Sequence, residues 1–282
     1  MKNILVTGAK GQLGQCFQKH SKEYLRYKFL FCSSKELDIT SMNSLEDFFN
    51  KNKIDYCINT AAYTNVENAE IEKEKAFAVN AEGARNIAKV CKAHDVVLFH
   101  FSTDYVFNGQ AIHPYKESDQ VDPINIYGAS KLKGEEEIIS NLDKYFIFRT
   151  SWLYSEFGHN FFRTILRKTE EHAELNITAS QKGTPTNAND LARYVLKIIG
   201  LKSSAFGIYH FSNEGEATWY DFAKEILEYS GKIDLVSLNK TDFFKTLAVR
   251  PEYSVLSKEK AVNEFGAIMN WKQSLHQLMD EN

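Results

Sequence analysis

The four cysteines contain no CxxC pair, and the eight histidines form no HxxxH pair and no cluster with cysteine. Without such spacings there is no metal constellation to read, and no metal ligand is expected. Cys16, Cys32, Cys57 and Cys91 each lie in an apolar strand-like or helix-like run, so buried free thiols are expected rather than disulfides. No stretch approaches the ~18 apolar residues of a membrane span, and the opening "MKNILVTGAKG" is too short and too glycine-broken for a signal peptide. A cytoplasmic protein is therefore expected, with no membrane partner. A net charge of -3 over 282 residues gives no excess of either sign to favour nucleic acid or an anionic surface. Internal repeats and a low-complexity tail are absent too. The remainder is an ordinary globular composition, 43% hydrophobic and 25% charged, in a chain long enough for one large domain or two modest ones.

The first half alternates short apolar runs with longer amphipathic ones. "NILVT" (3–7), "KFLFC" (28–32), "DYCINT" (55–60), "VVLFHFS" (96–102) and "YFIFRT" (145–150) are near-continuously hydrophobic, as strands covered on both faces must be. Helices are expected over 12–21, 42–52, a long 66–93 and 125–140. This alternation predicts an α/β fold, a Rossmann-type doubly wound parallel sheet. After residue 150 the rhythm loosens. It offers a helix over 158–172, a strand and a Gly-Thr-Pro-Thr turn before another helix, a buried strand in 206–213, and a helix over 218–231 closed by Gly231. We expect a dinucleotide-binding domain of residues 1–150 and about 187–213. A smaller interleaved α/β substrate domain would take about 151–186 and 214–282.

"VTGAKGQLG" places Gly8, Gly11 and Gly14 at the first strand-to-helix junction. A pyrophosphate needs such a place: a turn without Cβ, close backbone N–H groups and a helix N-terminus. A purely structural turn is the alternative reading. The second strand ends without the acid that would hold the ribose of NAD. It runs on as "SSKELDIT", where Ser33, Ser34 and Lys35 suit a 2′-phosphate or form only a solvated loop.

Tyrosine stands four residues before lysine three times: Tyr24/Lys28, Tyr127/Lys131 and Tyr220/Lys224. Only Tyr127 follows the fourth strand and its loop, at the first turn of a helix flanked by Gly128, Ala129 and Ser130, where ligands of an open sheet gather. A phenol with an ordinary pKa near ~10 is a poor acid–base group at neutral pH, and an ammonium beside it favours the phenolate. Ser102, Thr103 and Asp104 end the fourth strand. Thr103 is placed to hydrogen-bond a carbonyl oxygen or the Tyr127 hydroxyl, and Asp104 to contact substrate or set the local field. Trp152 reads either as core or as a stacking surface. Arg250 reads either as a diphosphate ligand or as a surface ion-pair partner.

The glycine spacing GxxGxxG is similar to that of the short-chain dehydrogenase/reductase superfamily. Together "TGAKGQLG", "LDIT", "NTAAYTNVENAE", "FSTDYVFNG", "YGASKLKGE", "RTSWLY", "GTPT" and "RPEYSVLS" resemble the dTDP-4-dehydrorhamnose reductases across essentially the whole chain. The resemblance implies reduction of the C4 keto group of dTDP-4-dehydro-6-deoxy-L-mannose, a dTDP-linked 4-keto-6-deoxy sugar, to dTDP-L-rhamnose. NADPH, or else NADH, would give the hydride and Tyr127 the proton. Lys131 would hold the nicotinamide ribose and depress the Tyr127 pKa, with Thr103 assisting. Gly11, Gln12 and Leu13 would line the pyrophosphate, Asp38 and Ile39 would meet the adenine, and Ala61, Ala62 and Tyr63 would lie beside the cofactor. Thr103, Asp104 and Trp152 would contact the nucleotide-sugar. Some relatives form a homodimer bridged by a divalent ion such as Mg2+ held by acidic residues; the terminal "MDEN" carries two carboxylates, and nothing in the sequence shows that they meet a metal. Two competing readings remain: a reductase or epimerase of another nucleotide-linked sugar, and a non-catalytic dinucleotide-binding subunit similar to the β subunit of methionine adenosyltransferase.

Overall fold

The computed structural model describes residues 1–171, 174–242 and 246–281. His172, the last residue of the expected helix over 158–172, and Asn282 of "MDEN" lie outside the described residues, as do 173 and 243–245. Six parallel strands form the main sheet: β1 (Lys2–Thr7), β2 (Tyr27–Cys32), β3 (Tyr56–Asn59), β4 (Val97–Thr103), β5 (Tyr145–Thr150) and β6 (Gly207–His210), in the order β6-β5-β4-β3-β1-β2. The two-residue period sends alternate side chains to opposite faces. Ile4, Val6, Phe99, Phe101, Phe146 and Phe148 pack on one side with Phe17 and with Leu191 and Val195 of the helix Ala188–Leu201. Leu5, Cys57, Leu98 and Ile147 pack on the other with Leu45, Ile87 and Ile138. Both faces are covered, which is why these strands read as continuous apolar runs rather than alternating ones. All four cysteines are buried and free.

The chain order reverses at β1, which pairs with β2 on one side and β3 on the other. A crevice therefore opens beyond the carboxyl ends of β1, β3 and β4. A third core, with Tyr154, Phe162, Leu175, Phe222, Ile226, Trp271 and Leu275, lies in the late part of the chain. There Glu174–Thr178 pairs in parallel with Ser237–Thr241. The helix Trp219–Tyr229 starts on a reciprocal Thr218–Asp221 capping box, and Gly231 follows its end at φ +66°. The helix Glu259–Phe265, in sequence part of the expected substrate domain, instead lays Ala261 and Phe265 on the main sheet's core.

The expected long helix over 66–93 is broken. Val66–Ala69 and Lys73–Phe77 are short helices, Ala78–Glu82 is a π-turn, and Gly83–Ala93 completes the run. The reason is tertiary. Asn80 uses its side-chain amide to accept from Tyr63 N–H at 2.9 Å and to donate to Tyr63 O at 3.0 Å and Ser130 Oγ at 2.9 Å. The π-turn presents Asn80 to the loop after β3 and to the helix Ile126–Asn141, at the local cost of regular helical bonding. Among the described residues, no helix is long and apolar enough to cross a membrane.

Candidate active site

The crevice is a cavity of about 620 Å³. At one end lies the turn after β1. Gly8 has φ +64°, and a Cβ there would fall 2.6 Å from Ala61 N; one on Gly14 would fall 2.6 Å from Gly8 O. These two glycines and Ala61 let the backbones of two loops and a helix meet, and so act behind the cavity surface. Gly11 caps the helix Gln12–Ser21 with no side-chain bond, and that helix has no acid in its first turn. Gly11, Gln12 and Leu13 line the cavity. An uncapped, acid-free helix N-terminus at a cavity wall leaves N–H donors and a positive dipole end for an anion, so these residues fit the pyrophosphate of a dinucleotide.

The other expected cofactor residues divide. Ala62 lines the cavity. Tyr63 is turned to Glu72, its hydroxyl donating at 2.6 Å. Asp38 accepts from Thr40 N–H at 2.9 Å and Thr40 Oγ1 at 2.8 Å within its own turn. Ile39 is buried, with its side chain packed against Gly83. The end of β2 also holds something the sequence reading missed. Glu36 folds back so that one carboxylate oxygen accepts from both Ser33 N–H and Ser33 Oγ at 2.7 Å. Those two bonds and the nearby Lys10 hold its carboxyl below the usual range. The S-x-x-E spacing of "SSKE" was the available signal.

The end of β4 gathers polar and titratable side chains at the cavity. Thr103 Oγ1 donates to Asp104 Oδ1 at 3.0 Å and accepts from Tyr105 N–H at 3.2 Å. Burial pushes Asp104 up to about 6, against the pull of hydrogen bonds from Ser254 and Thr103. The helix Ile126–Asn141 is docked onto this strand end. Asn125 caps it by accepting from Gly128 N–H at 2.8 Å and ties it to Val249 O at 2.8 Å. A Cβ on Gly128 would fall 2.1 Å from Tyr105 O, so only glycine permits the helix to sit so close. The docking brings Tyr127 edge-on to Tyr105, with ring centroids 6.0 Å apart, and turns both Tyr127 and Lys131 into the cavity with Thr103 and Asp104.

The net shift of Tyr127 runs against the expected lowering. Burial and then the Asp104 charge push the phenol well above its ordinary value, a hydrogen bond with Thr103 opposing them. Lys131 is itself pulled down to about 8 by burial, opposed by Glu135. Its Nζ faces His100 Nε2 at 3.4 Å. Tyr127 is thus a neutral phenol at working pH, in the state of a proton donor rather than an acceptor.

Trp152 resolves as a cavity wall. Its backbone has φ +43°, a strained conformation for an aromatic residue, and its ring stacks on Trp219 at 3.7 Å between centroids and 10° between planes. Trp219 is held by its Nε1–H donating to Gln181 Oε1 at 3.0 Å. Both indoles line the cavity. Sequence reading missed Trp219, whose only local signal is its place at the first position of an amphipathic helix. Arg250 lines the cavity, and its Nη2 donates to Glu67 Oε1 at 2.7 Å, the ion pair of its second reading. Of the terminal acids, Asp280 accepts from Tyr229 Oη at 2.8 Å and Glu281 pairs with Lys19 at 3.3 Å.

The same architecture recurs in known proteins. A dTDP-4-dehydrorhamnose reductase from Bacillus anthracis str. Ames, solved in complex with NADP, superposes with a TM-score of 0.95 over 100% of both chains at 37% identity. A Clostridium acetobutylicum ortholog reaches 0.93 at 38%, over 99% of both. The dTDP-4-dehydrorhamnose reductase of Aggregatibacter actinomycetemcomitans is 37% identical over 98% of this chain and 97% of its own. The spore coat polysaccharide biosynthesis protein SpsK of Bacillus subtilis (strain 168) is 38% identical over 100% and 98%. The likeness runs the length of the chain, and with the model of the RmlD substrate binding domain matching residues 1–282, the chain belongs to that family.

Proposed function

We propose that this protein reduces the C4 keto group of dTDP-4-dehydro-6-deoxy-L-mannose to dTDP-L-rhamnose, with NADPH as reductant and NADH as the alternative. The observation that carries the reading is the neutral, half-buried Tyr127 phenol beside Thr103, in the same cavity as the uncapped Gly11–Leu13 turn. The nicotinamide, when bound, supplies the hydride. Tyr127 gives its hydroxyl proton to the carbonyl oxygen as the C–O double bond becomes single, and Thr103 Oγ1 orients that oxygen or the phenol. Lys131 stabilises the phenolate left behind until solvent returns the proton. Gly11, Gln12 and Leu13 hold the pyrophosphate, and Ala62 lies beside the cofactor. Asp104 and the Trp152–Trp219 stack contact the nucleotide-sugar.

On this reading residues 1–150 and about 187–213 serve the dinucleotide, while about 151–186 and 214–282 serve the nucleotide-sugar. On the same reading the enzyme works in the cytoplasm, as a homodimer. The test follows cofactor absorbance with the keto sugar made in place from dTDP-glucose by the two preceding enzyme steps. Oxidation with dTDP-rhamnose as product supports the reading. Absence of oxidation by protein that binds NADPH transfers the weight to another nucleotide-linked sugar.

Two expected results concern the substrate and cofactor ends of the site. Trp219→Ala removes the support behind Trp152, so the KM for the nucleotide-sugar should rise about tenfold while that for NADPH stays within about twofold. Equal rises in both would make the stack a general structural wall. Glu36→Gln removes a negative charge from the end of β2, where a 2′-phosphate must lie. NADPH affinity, read by fluorescence titration, should therefore improve, with NADH unchanged. An equal change for both cofactors would remove Glu36 from cofactor choice.

A further inference from the structure

Below Lys131 runs a buried polar file that the reaction as derived does not use. His100 is 1% exposed and Lys131 2%, with Nε2 and Nζ 3.4 Å apart. On the other side of the ring the Asn59 amide nitrogen lies 3.1 Å from Nδ1, and Asn59 Oδ1 takes the Thr7 hydroxyl at 2.6 Å. The members come from the helix Ile126–Asn141, β4, β3 and β1. The file therefore crosses the sheet directly beneath the cavity floor.

Counting protons along it shows what it does. With the Asn59 nitrogen toward the ring, Nδ1 accepts, so a neutral His100 carries its proton on Nε2 and points it at Nζ. An ammonium has no lone pair to receive that proton, so this order suits a neutral lysine. Turning the Asn59 amide over reverses the file. Oδ1 then accepts Nδ1–H, Nδ2 donates to Thr7 Oγ1, and the bare Nε2 accepts from a Lys131 ammonium. Burial, and then the Lys131 charge, hold the His100 ring well below its ordinary pKa, so the ring stays neutral in both orders. The remaining charged or titratable neighbours are Glu135 one turn along the helix, bound to Arg149 of β5, and Tyr127 and Asp104 toward the cavity.

We propose that His100, oriented by Asn59, is the positioning residue that keeps Lys131 a cation at working pH, by offering it the ring lone pair. The role it serves in turnover rests on the reductase reading above; the lysine charge itself does not.

Two measurements on the full-length enzyme test it: titration of Lys131 by lysine side-chain NMR, assigned with Lys131→Arg, and kcat against pH. In His100→Leu the acceptor is gone, and Lys131 should lose its proton about one pH unit lower, with the alkaline limb of kcat moving down alongside. In His100→Gln the amide oxygen accepts from Nζ, and both curves should return close to wild type. In Asn59→Asp a fixed acceptor on Nδ1–H removes the need to turn the amide, so the lysine should titrate higher; this variant carries the test should His100→Leu not fold. A Lys131 titration unmoved in the Leu or Asp variant overturns the proposal. So does a loss of kcat that is equal in the Leu and Gln variants at every pH, which marks a purely structural histidine. Since the NMR titration needs no substrate, failure of turnover in the wild type would count against the reductase reading alone.

Discussion

Tyr127→Phe is expected to lower kcat by roughly 10²–10⁴ while leaving the NADPH dissociation constant within about twofold of wild type. The variant deletes one oxygen from a ring whose other contacts are retained, including the edge-on packing against Tyr105. The helix stays docked through Gly128 and Asn125, which the change does not touch. What is lost is the acid. Thr103 has its proton on Asp104 and its lone pair on Tyr105 N–H, so it is poorly placed to replace the phenol. In the wild type the phenol stays protonated across the neutral range, because burial and the Asp104 charge both push its pKa up. Its own ionisation therefore sets no limit there. The limb on the alkaline side belongs to Lys131, whose charge fades as pH rises past about 8. Steady-state turnover with dinucleotide titration by fluorescence checks the expectation. Activity within about tenfold of wild type would assign the proton to another donor.

Sequence reading singled out Tyr127 and Lys131 by position rather than spacing. Tyr127/Lys131 was separable from two identical spacings because it alone follows β4, and the strands were readable because a sheet covered on both faces demands continuous apolar runs. What it missed depends on contacts distant in sequence. The break in 66–93 arises from Asn80 bonding to Tyr63 and Ser130, partners 17 and 50 residues away, and no helical periodicity carries that information. Trp219 becomes a wall only because Trp152, far back in the chain, lies on it. The expected effect of Lys131 on Tyr127 followed from the i, i+4 geometry of an isolated helix. In the folded protein the lysine turns to His100, and burial outweighs the missing partner charge. Glu36 differs from these, since its capping pattern was present in four consecutive residues.

The second large effect concerns what holds Lys131 from below. Glu135, one turn further along the same helix, meets Arg149 of β5 through Nε–Oε1 at 3.0 Å and Nη2–Oε2 at 2.7 Å, both side chains nearly inaccessible. Glu135→Leu leaves that guanidinium buried without its counter-charge, and we expect a loss of ~3–5 kcal/mol of stability, a large share of the ~5–15 kcal/mol typical of a folded domain. Adding Arg149→Met removes the stranded charge, so the double variant should recover most of the lost stability in urea unfolding. Activity should not recover with it. Glu135 is the group that opposes the burial of Lys131; without it, the lysine loses its proton at lower pH in the single and the double variant alike. The double variant should therefore fold nearly as well as wild type yet keep an alkaline limb displaced to lower pH. A single variant within about 1 kcal/mol of wild type would show the pair to be solvated. A double variant with the wild-type limb would confine the pair to the fold and leave the charge of Lys131 to His100 alone.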